Sequence, residues 1–473
     1  MAELRRVLSA PSVALVGAGY AFATLSIVAD VQVATLMPGA TGWMAVVIAG
    51  VVCWLASASF AELSAMYPSS AGVRLYLQKA FGERFATAMS ATYIFTVIAA
   101  SGAEAYVFGS VCEALLPGGP PVWAYMISAF LLVGAINYRG IELSAGVQDV
   151  LSGVMFVFLL SVSLVALAKF GARLENWTDP FAAGASAGGL VSAVGVAIFL
   201  YAGFEWVTAL SEEAEDPGAI RRGMAGSVLI LGVIYALLNL ALVSAVPKEV
   251  LSGARPWVDG LSYGARPHVV FLKVVFGPYA TLALIATGLL SFLASMTSFN
   301  AGILTTSRFL YAMSRDRTMP RVLSRIHPEY FTPAAAVVAL TAVALVSSLL
   351  LLLFGGFNAF TFAVAGSEAL MLALAAACVI WLRRKAPGVE RGYRVPFHPV
   401  STVLVALIFA LLFATVFLAP QPEARVGLAI YVAIVVFFVA YTLVVVPRLR
   451  AGATKRPGAV PTQARGAQEL SGE

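Results

Sequence analysis

The sequence predicts an all-α integral membrane protein with twelve transmembrane helices. Three observations carry this expectation. Of the 473 residues, 60% are hydrophobic and only 11% charged, whereas soluble domains carry about 25% charged residues. Apolar runs long enough to cross a bilayer, roughly 20 residues each, recur along nearly the whole chain, so the several soluble domains that length alone suggests are excluded. The basic residues also sort by side: with twelve spans, the face holding both termini carries 23 Lys and Arg and the other face 7, together the 30 in the chain. The spans are read as helices because an open sheet edge cannot persist in lipid. A transmembrane β-barrel would need short alternating segments, which are missing from the sequence.

In order, the expected spans lie near 12–37, 42–66, 87–115, 122–138, 146–170, 188–211, 224–246, 276–306, 333–355, 358–382, 400–419 and 426–447. Polar or Gly/Pro-bearing connections divide them, such as PGGPP at 117–121. The first run has no small-residue cleavage site behind a short apolar region, so no cleavable signal peptide is expected. The positive-inside rule makes the terminal face cytoplasmic, with Arg383, Arg384 and Lys385 after the tenth span as its clearest marker. The longest outward connection, near 247–275, contains Trp257, Tyr263 and Phe271 and is expected to hold a short surface helix. From about Ala451 the chain is rich in Gly, Pro, Ala and Arg, and 451–473 reads as a disordered cytoplasmic tail. The expectation is one transmembrane domain over 1–450 in an inner or plasma membrane, multi-pass, with both termini cytoplasmic.

Several function classes fall away. Cys53, Cys112 and Cys378 lie in or at the ends of apolar spans without metal-ligand spacing, and His268, His327 and His398 fall in loops. No metal, cofactor or nucleophilic triad is indicated, so enzymatic chemistry is not expected. No G-x-x-x-x-G-K-[ST] motif is present, which argues against ATP-driven transport. The net charge of +6 follows membrane topology and does not argue for nucleic acid.

Ionisable residues inside spans are costly and are functional candidates by default. They are Asp30, Glu104, Asp149, Glu205 and Glu368, with Glu62 and Glu113 near span ends. Asp149, behind Gln148 at the start of the fifth span, and Glu113 are expected at the interface. Glu368, in VAGSEALM, is open to a structural role as partner to a polar group on another helix. Asp30 and Glu205 lie deeper, beside Gly-rich segments. Two of those segments are notable: VGAGYAFATLSIVAD in the first span, with Gly17, Gly19, Thr24 and Ser26, and SAVGVAIFLYAGFE in the sixth, with Gly195 and Gly203. Gly in membrane helices often only permits close packing. Yet a pair of interrupted spans at corresponding places in two inverted halves is a pointer to a transport site near the midplane. The offset of five spans suggests halves at about 10–171 and 188–385, followed by two extra helices at about 399–448.

Three stretches then resemble one family. FLYAGFEWVTALSEEAEDP, 199–217, is similar to the sixth-helix signature of the amino acid–polyamine–organocation transporters. SRFLYAMSRDRTMPRVLSRIHPEYFTP, 307–333, resembles the family's segment from the eighth helix to the Thr-Pro that opens the ninth. FAELSAMYPSSAGVRLYLQKAFG, 60–82, resembles the end of its second helix and the linker beyond. The three occur in order and at family spacing. The resemblance implies a LeuT-like inverted five-plus-five repeat with broken helices one and six, and a small-molecule substrate held between helices one, three, six, eight and ten. It implies that an amino acid or related amine is moved by alternating access, with its carboxylate met by backbone amides of the first break and its ammonium by carbonyls of both breaks.

The resemblance assigns substrate contacts to Ala23, Thr24, Leu25, Ser26 and Ile27 in the first span and to Phe199, Tyr201, Ala202 and Gly203 in the sixth, with Asn300 on the eighth as a polar contact. Phe199 matches the family's aromatic gate. The family's first-helix Gly-Ser-Gly is replaced here by Ala23-Thr24-Leu25 or, two residues on, Leu25-Ser26-Ile27, where Leu25 and Ile27 crowd the backbone. Either the Thr24 and Ser26 hydroxyls help hold the substrate, or the pocket suits an unusual one. Asp30, Glu104 and Glu205 are the candidates for coupling or switching. Where several family members carry a fifth-helix Lys in place of sodium, this chain has Met155. Three options remain open: sodium at eighth-helix hydroxyls such as Ser295 or Ser298, proton coupling through a carboxylate, or substrate exchange. The acids from Glu212 to Asp216 read as solvated in a cytoplasmic connection. The alternatives are a polyamine, organic cation or organic acid antiporter of the same fold and, in a different class, a channel; a membrane-embedded enzyme lacks the clustered residues it would need.

Overall fold

The computed structural model describes residues 4–454 except 38–40, 175–177, 180, 182–183, 185, 217, 247–266 and 419–421. Helix α1 (Ala10–Ala21) opens on Ser9, whose Oγ accepts the Ser12 amide, with Pro11 in the first turn where a missing N–H costs nothing. It stops at Ala21. Phe22 leaves the helical region, Ala23 is extended, and α2 (Thr24–Leu36) resumes the path. Then follow α3 (Gly42–Met66), α4 (Gly72–Phe81), α5 (Glu83–Leu115), α6 (Val122–Tyr138) and α7 (Ile141–Phe170). The sixth span consists of α8 (Ala187–Ile198), a 3₁₀ turn at Phe199–Tyr201 and a second 3₁₀ segment at Phe204–Leu210. Beyond it come α9 (Ala219–Ala245), α10 (Pro267–Phe276), α11 (Ala280–Arg315), α12 (Ala334–Phe354), α13 (Phe357–Lys385), α14 (Val400–Leu418) and α15 (Pro422–Thr454).

Ten of these segments are long and apolar enough to cross a bilayer. The split first span and the 17-residue α6 complete the twelve expected positions. Among the described residues all regular structure is helical. The amphipathic α4 and the short α10 lie in connections. The α10 helix carries Phe271 of the expected surface helix, and that side chain is buried; Trp257 and Tyr263 lie outside the described residues. The last helix continues to Thr454, and the remainder of the expected tail, 455–473, is likewise outside them.

Helix α5 is central: 72% of its apolar stretch is buried within the bundle, against 17% for α15, which therefore faces lipid. The first span packs on α7, α9 and α11. Gly17 and Gly19 serve this packing and not the break. A Cβ on Gly19 would stand 1.9 Å from Nε2 of Gln148, and one on Gly17 2.4 Å from Oγ of Ser227, so both helices approach at backbone distance.

The terminal face is tied by charged side chains. Glu62, at the end of α3, is buried and takes two bonds from Arg383, at 2.9 and 2.6 Å, and one from the Val395 amide at 2.7 Å. Arg383 is thus a structural partner as well as a topological marker. The acids after the sixth span depart from the expectation of a solvated run. Glu213 has no exposed surface and meets Arg308 at two points, while its carbonyl accepts the Val7 and Leu8 amides. Glu212 bonds Arg315 and the Ser70 amide. Only Glu215 and Asp216 reach solvent freely, Asp216 paired with the half-exposed Arg222. The difference arises because Arg308 and Arg315 descend from α11 onto this turn, and a buried carboxylate requires such a partner.

Candidate substrate site

The first break is held open by side chains from other helices. A helix end leaves free N–H and C=O groups that need partners. Tyr235 of α9 donates its hydroxyl to the Ala21 carbonyl at 2.7 Å, and Thr297 of α11 donates to the Phe22 carbonyl at 3.3 Å. On the other side of the gap, Ala23 is the residue before α2, and alanine has no side-chain acceptor to cap the new helix. Glu104 of α5 supplies one from a distance: its Oε1 accepts the Thr24 amide at 2.9 Å and the Ser295 hydroxyl at 3.3 Å.

The sixth break turns at Gly203, whose φ of +120° is open to glycine and strained for other residues. A Cβ there would stand 2.7 Å from Cδ1 of Tyr20 and 3.1 Å from the Gly17 carbonyl oxygen. The sixth break therefore lies directly against the last turns of α1. The seven-residue 3₁₀ segment that follows is longer than such segments usually run, and mid-span 3₁₀ geometry marks hinges.

Between the breaks lies a small cavity of about 30 Å³. The first span contributes Tyr20, Ala21, Ala23 and Ser26, and α5 contributes Ala100 and Glu104. Phe199 and Ala202 come from the sixth span, Ser298 from α11, and Val364 and Glu368 from α13. The lining Tyr20 stacks on the fully buried Trp206 with centroids 5.5 Å apart, and Tyr93 lies 4.6 Å from the same indole. Two carboxyls meet this ring cluster, Glu205 beyond the cavity lining and Glu368 within it. Glu205 accepts the Tyr93 hydroxyl at 2.8 Å and the Gly203 amide at 3.2 Å. Glu368 accepts the Trp206 indole N–H at 3.3 Å, so both carboxyls meet the same pair of rings. Among the described residues no Lys or Arg pairs with either.

The structure thus brings Ala23, Ser26, Phe199, Ala202 and Glu104 to one cavity, with Thr24, Gly203 and Glu205 against it. Other expected residues stand elsewhere. Tyr201 turns away and donates to the Val46 carbonyl of α3 at 2.8 Å. Asn300 joins a buried polar cluster, donating to Gln148 and the Ser144 carbonyl and accepting from Asn137 at 2.7 Å. Asp30 is clasped by the Asn239 amide at 3.0 Å, tying α2 to α9. Ile27 is buried away from the cavity lining, and the Leu25 side chain lies outside the described ones. Met155 is fully buried on α7. Asp149 accepts the Ser12 hydroxyl at 2.9 Å, linking α7 to α1. Sequence reasoning passed over Tyr20, Tyr93 and Trp206. The one available signal was the position of Trp206 beside an intramembrane Glu; nothing local marks Tyr93, which reaches Glu205 across 112 residues of chain.

Comparison with known proteins agrees with this geometry. The profile of the family described as amino acid permease matches residues 8–440. The chain is 26% identical over 432 residues to a methylthioribose transporter of Bacillus subtilis (strain 168), covering 85% of this chain and 87% of that protein. It is 27% identical over 438 residues to the branched-chain amino acid permease BcaP of the same organism, covering 86% and 87%. An uncharacterized transporter of Mycobacterium tuberculosis is 28% identical over 390 residues, covering 79% and 81%. With a profile that spans nearly all of the twelve helices and relatives named as permeases and transporters, this chain belongs to the amino acid permease family, as its signature segments of amino acid–polyamine–organocation type anticipate, and is a membrane transporter.

Proposed function

We propose that the protein is a secondary transporter that moves an amino acid or related amine by alternating access, with the substrate between the two breaks and a proton on the Glu205–Glu368 pair as the coupling ion. One observation carries the coupling: two buried carboxyls, Glu205 bonded to Tyr93 and Glu368 bonded to Trp206, meet one pair of packed rings without a basic partner among the described residues. In this reading the pair carries one exchangeable proton between its two carboxyls. The donors already aimed at them, the Tyr93 hydroxyl, the Gly203 amide and the Trp206 indole, hold the remaining charge. Gly203 belongs to the sixth break and Trp206 to its 3₁₀ segment, so gain or loss of the proton acts directly on the hinge. Met155, in place of a basic residue, supplies no fixed charge and is compatible with this arrangement.

Alternating access fits the seal on the terminal face and the size of the cavity. A cavity of about 30 Å³ is far below the several hundred Å³ of usual ligand pockets, so in this reading the breaks part for binding. Phe199, half-buried over the cavity, is the gate that moves in this reading. The excess of basic residues makes the sealed face cytoplasmic in a plasma membrane. The two named relatives carry different solutes, one an amino acid and one a sugar derivative, so the lining residues decide the substrate.

Uptake into proteoliposomes tests the reading. A proton gradient is expected to drive accumulation of a solute from a panel of amino acids and amines, and a protonophore to abolish it. Glu205→Gln and Glu368→Gln are expected to lose gradient-driven accumulation while retaining solute exchange down a concentration gradient. Accumulation driven by sodium alone, or unaltered by both substitutions, would overturn the coupling assignment.

A further inference from the structure

We infer that Glu104 stands in for a substrate carboxylate at the first break, so that the substrate is an amine without a carboxylate; this rests on the transporter reading above and narrows its substrate class. The start of α2 is a half-helix N-terminus inside the bundle. Its free amides and positive dipole end are where an anionic group of a solute would dock. Here the first of these amides is already taken. The Thr24 amide gives its hydrogen to Glu104 Oε1 at 2.9 Å, and Ser295 holds the same oxygen. Glu104 is 1% exposed and projects from α5, a span largely buried within the bundle, so it is part of the frame of the site and not a passing surface contact.

The cavity beside it extends the argument. Its lining includes a second carboxyl, Glu368, with the Tyr20, Ser26 and Ser298 hydroxyls, and no Lys, Arg or His. A solute carboxylate placed there would meet carboxyl groups and find the helix end occupied, a like-charge contact that disfavours binding. An ammonium group would meet two carboxyls and three hydroxyls, all able to accept. The rest of the lining, Ala100, Phe199 and Val364 among it, is apolar and suits an aliphatic or aromatic body. The substrate class is therefore the primary amines, the compounds an amino acid becomes on decarboxylation.

Matched pairs test this on the purified full-length protein: leucine and isoamylamine, lysine and cadaverine, phenylalanine and phenethylamine, each assayed by thermal shift and competition binding. In the wild type, at least one amine is expected to bind about tenfold or more tighter than its amino acid. Glu104→Gln keeps an acceptor for the Thr24 amide but removes the charge. It is expected to weaken that amine about tenfold with no gain for the amino acid. Glu104→Ala exposes the amide and is expected to strengthen the amino acid about tenfold. An amino acid that binds the wild type as tightly as its amine overturns the inference, as does a panel in which no amine binds. Unchanged preference in Glu104→Ala does the same. If Glu104→Ala fails to fold, a Glu104→Gln protein with full amine affinity is the overturning result. None of these outcomes bears on gradient-driven uptake, which tests the transporter reading separately.

Discussion

Arg308 and Glu213 meet at two points, Nε to Oε2 at 2.9 Å and Nη2 to Oε1 at 3.1 Å, and neither side chain has any exposed surface. The pair joins α11 to the turn after the sixth span, and the Glu213 carbonyl simultaneously holds the segment before α1. It therefore links the three segments that must separate if the terminal face is to open. Removing one partner strands a buried charge at a cost of about 3–5 kcal/mol. Arg308→Met and Glu213→Gln are each expected to lower the melting temperature markedly. The double variant Arg308→Met/Glu213→Leu is expected to recover most of that loss but to label faster at a cysteine placed on α1, because the apolar pair lacks the two-point geometry. Equal labelling in wild type and double variant would count against a role in closure.

The neighbouring Glu212 gives a pH dependence. Burial pushes its carboxyl up, but the Arg315 bonds and the Ser70 amide outweigh burial and hold it below the ordinary Glu value. Folding thus favours the ionised form, so the contact contributes fully above the ordinary Glu range, near 4.3, and is lost as pH falls through and below it. The loop at 69–71, which Glu212 fixes, is expected to gain hydrogen-exchange rate between pH 5 and pH 3.5, beyond the intrinsic pH effect. Glu212→Gln is expected to show the faster exchange already at pH 7.

Gly203 is expected to tolerate no side chain. Its φ is +120°, and a Cβ would press on Tyr20 and the Gly17 carbonyl. The backbone strain alone costs about 1–3 kcal/mol, so Gly203→Ala should yield little folded protein or a transporter without activity. Gly153 on α7 is the control, since a Cβ there meets nothing within 4 Å. Gly153→Ala is expected to be neutral or to stabilise by up to about 1 kcal/mol, with unchanged transport.

Asn300 is expected to act on stability and not on substrate. It bridges Asn137, Gln148 and the Ser144 carbonyl, a cluster joining α6, α7 and α11, and Gln148 passes the chain on through Ser152 to the Leu15 carbonyl of α1. Asn300→Ala leaves buried polar groups unpaired, at about 1–3 kcal/mol each. A lower melting temperature with solute affinity within about twofold of wild type is expected. A tenfold loss of affinity would return Asn300 to the substrate site.

The architecture was legible because lipid makes it so. Every span must bury its own backbone bonds and present apolar side chains, so spans are readable one at a time. The last turn of α1 and the shape of the site were not, since burial and pairing inside the bundle leave no local pattern. Glu212 and Glu213 show the limit. Both stand in the same acidic run as Glu215 and Asp216, and only the arrival of Arg308 and Arg315 from about a hundred residues away separates the fixed pair from the solvated one.

By itself, the sequence determined the twelve spans, the charged face, the family, and the glycine on which the sixth span turns, because each is written in composition or in a local backbone need. The tertiary structure decided where the first span breaks. Phe22 and Ala23 carry no breaking signal of their own. The groups freed around them, the Ala21 and Phe22 carbonyls and the Thr24 amide, are satisfied by Tyr235, Thr297 and Glu104, which lie 214, 275 and 80 residues from the atoms they bond. A helix gives up its own hydrogen bonds inside a bilayer only when other helices replace them, and that replacement exists only once the bundle has formed.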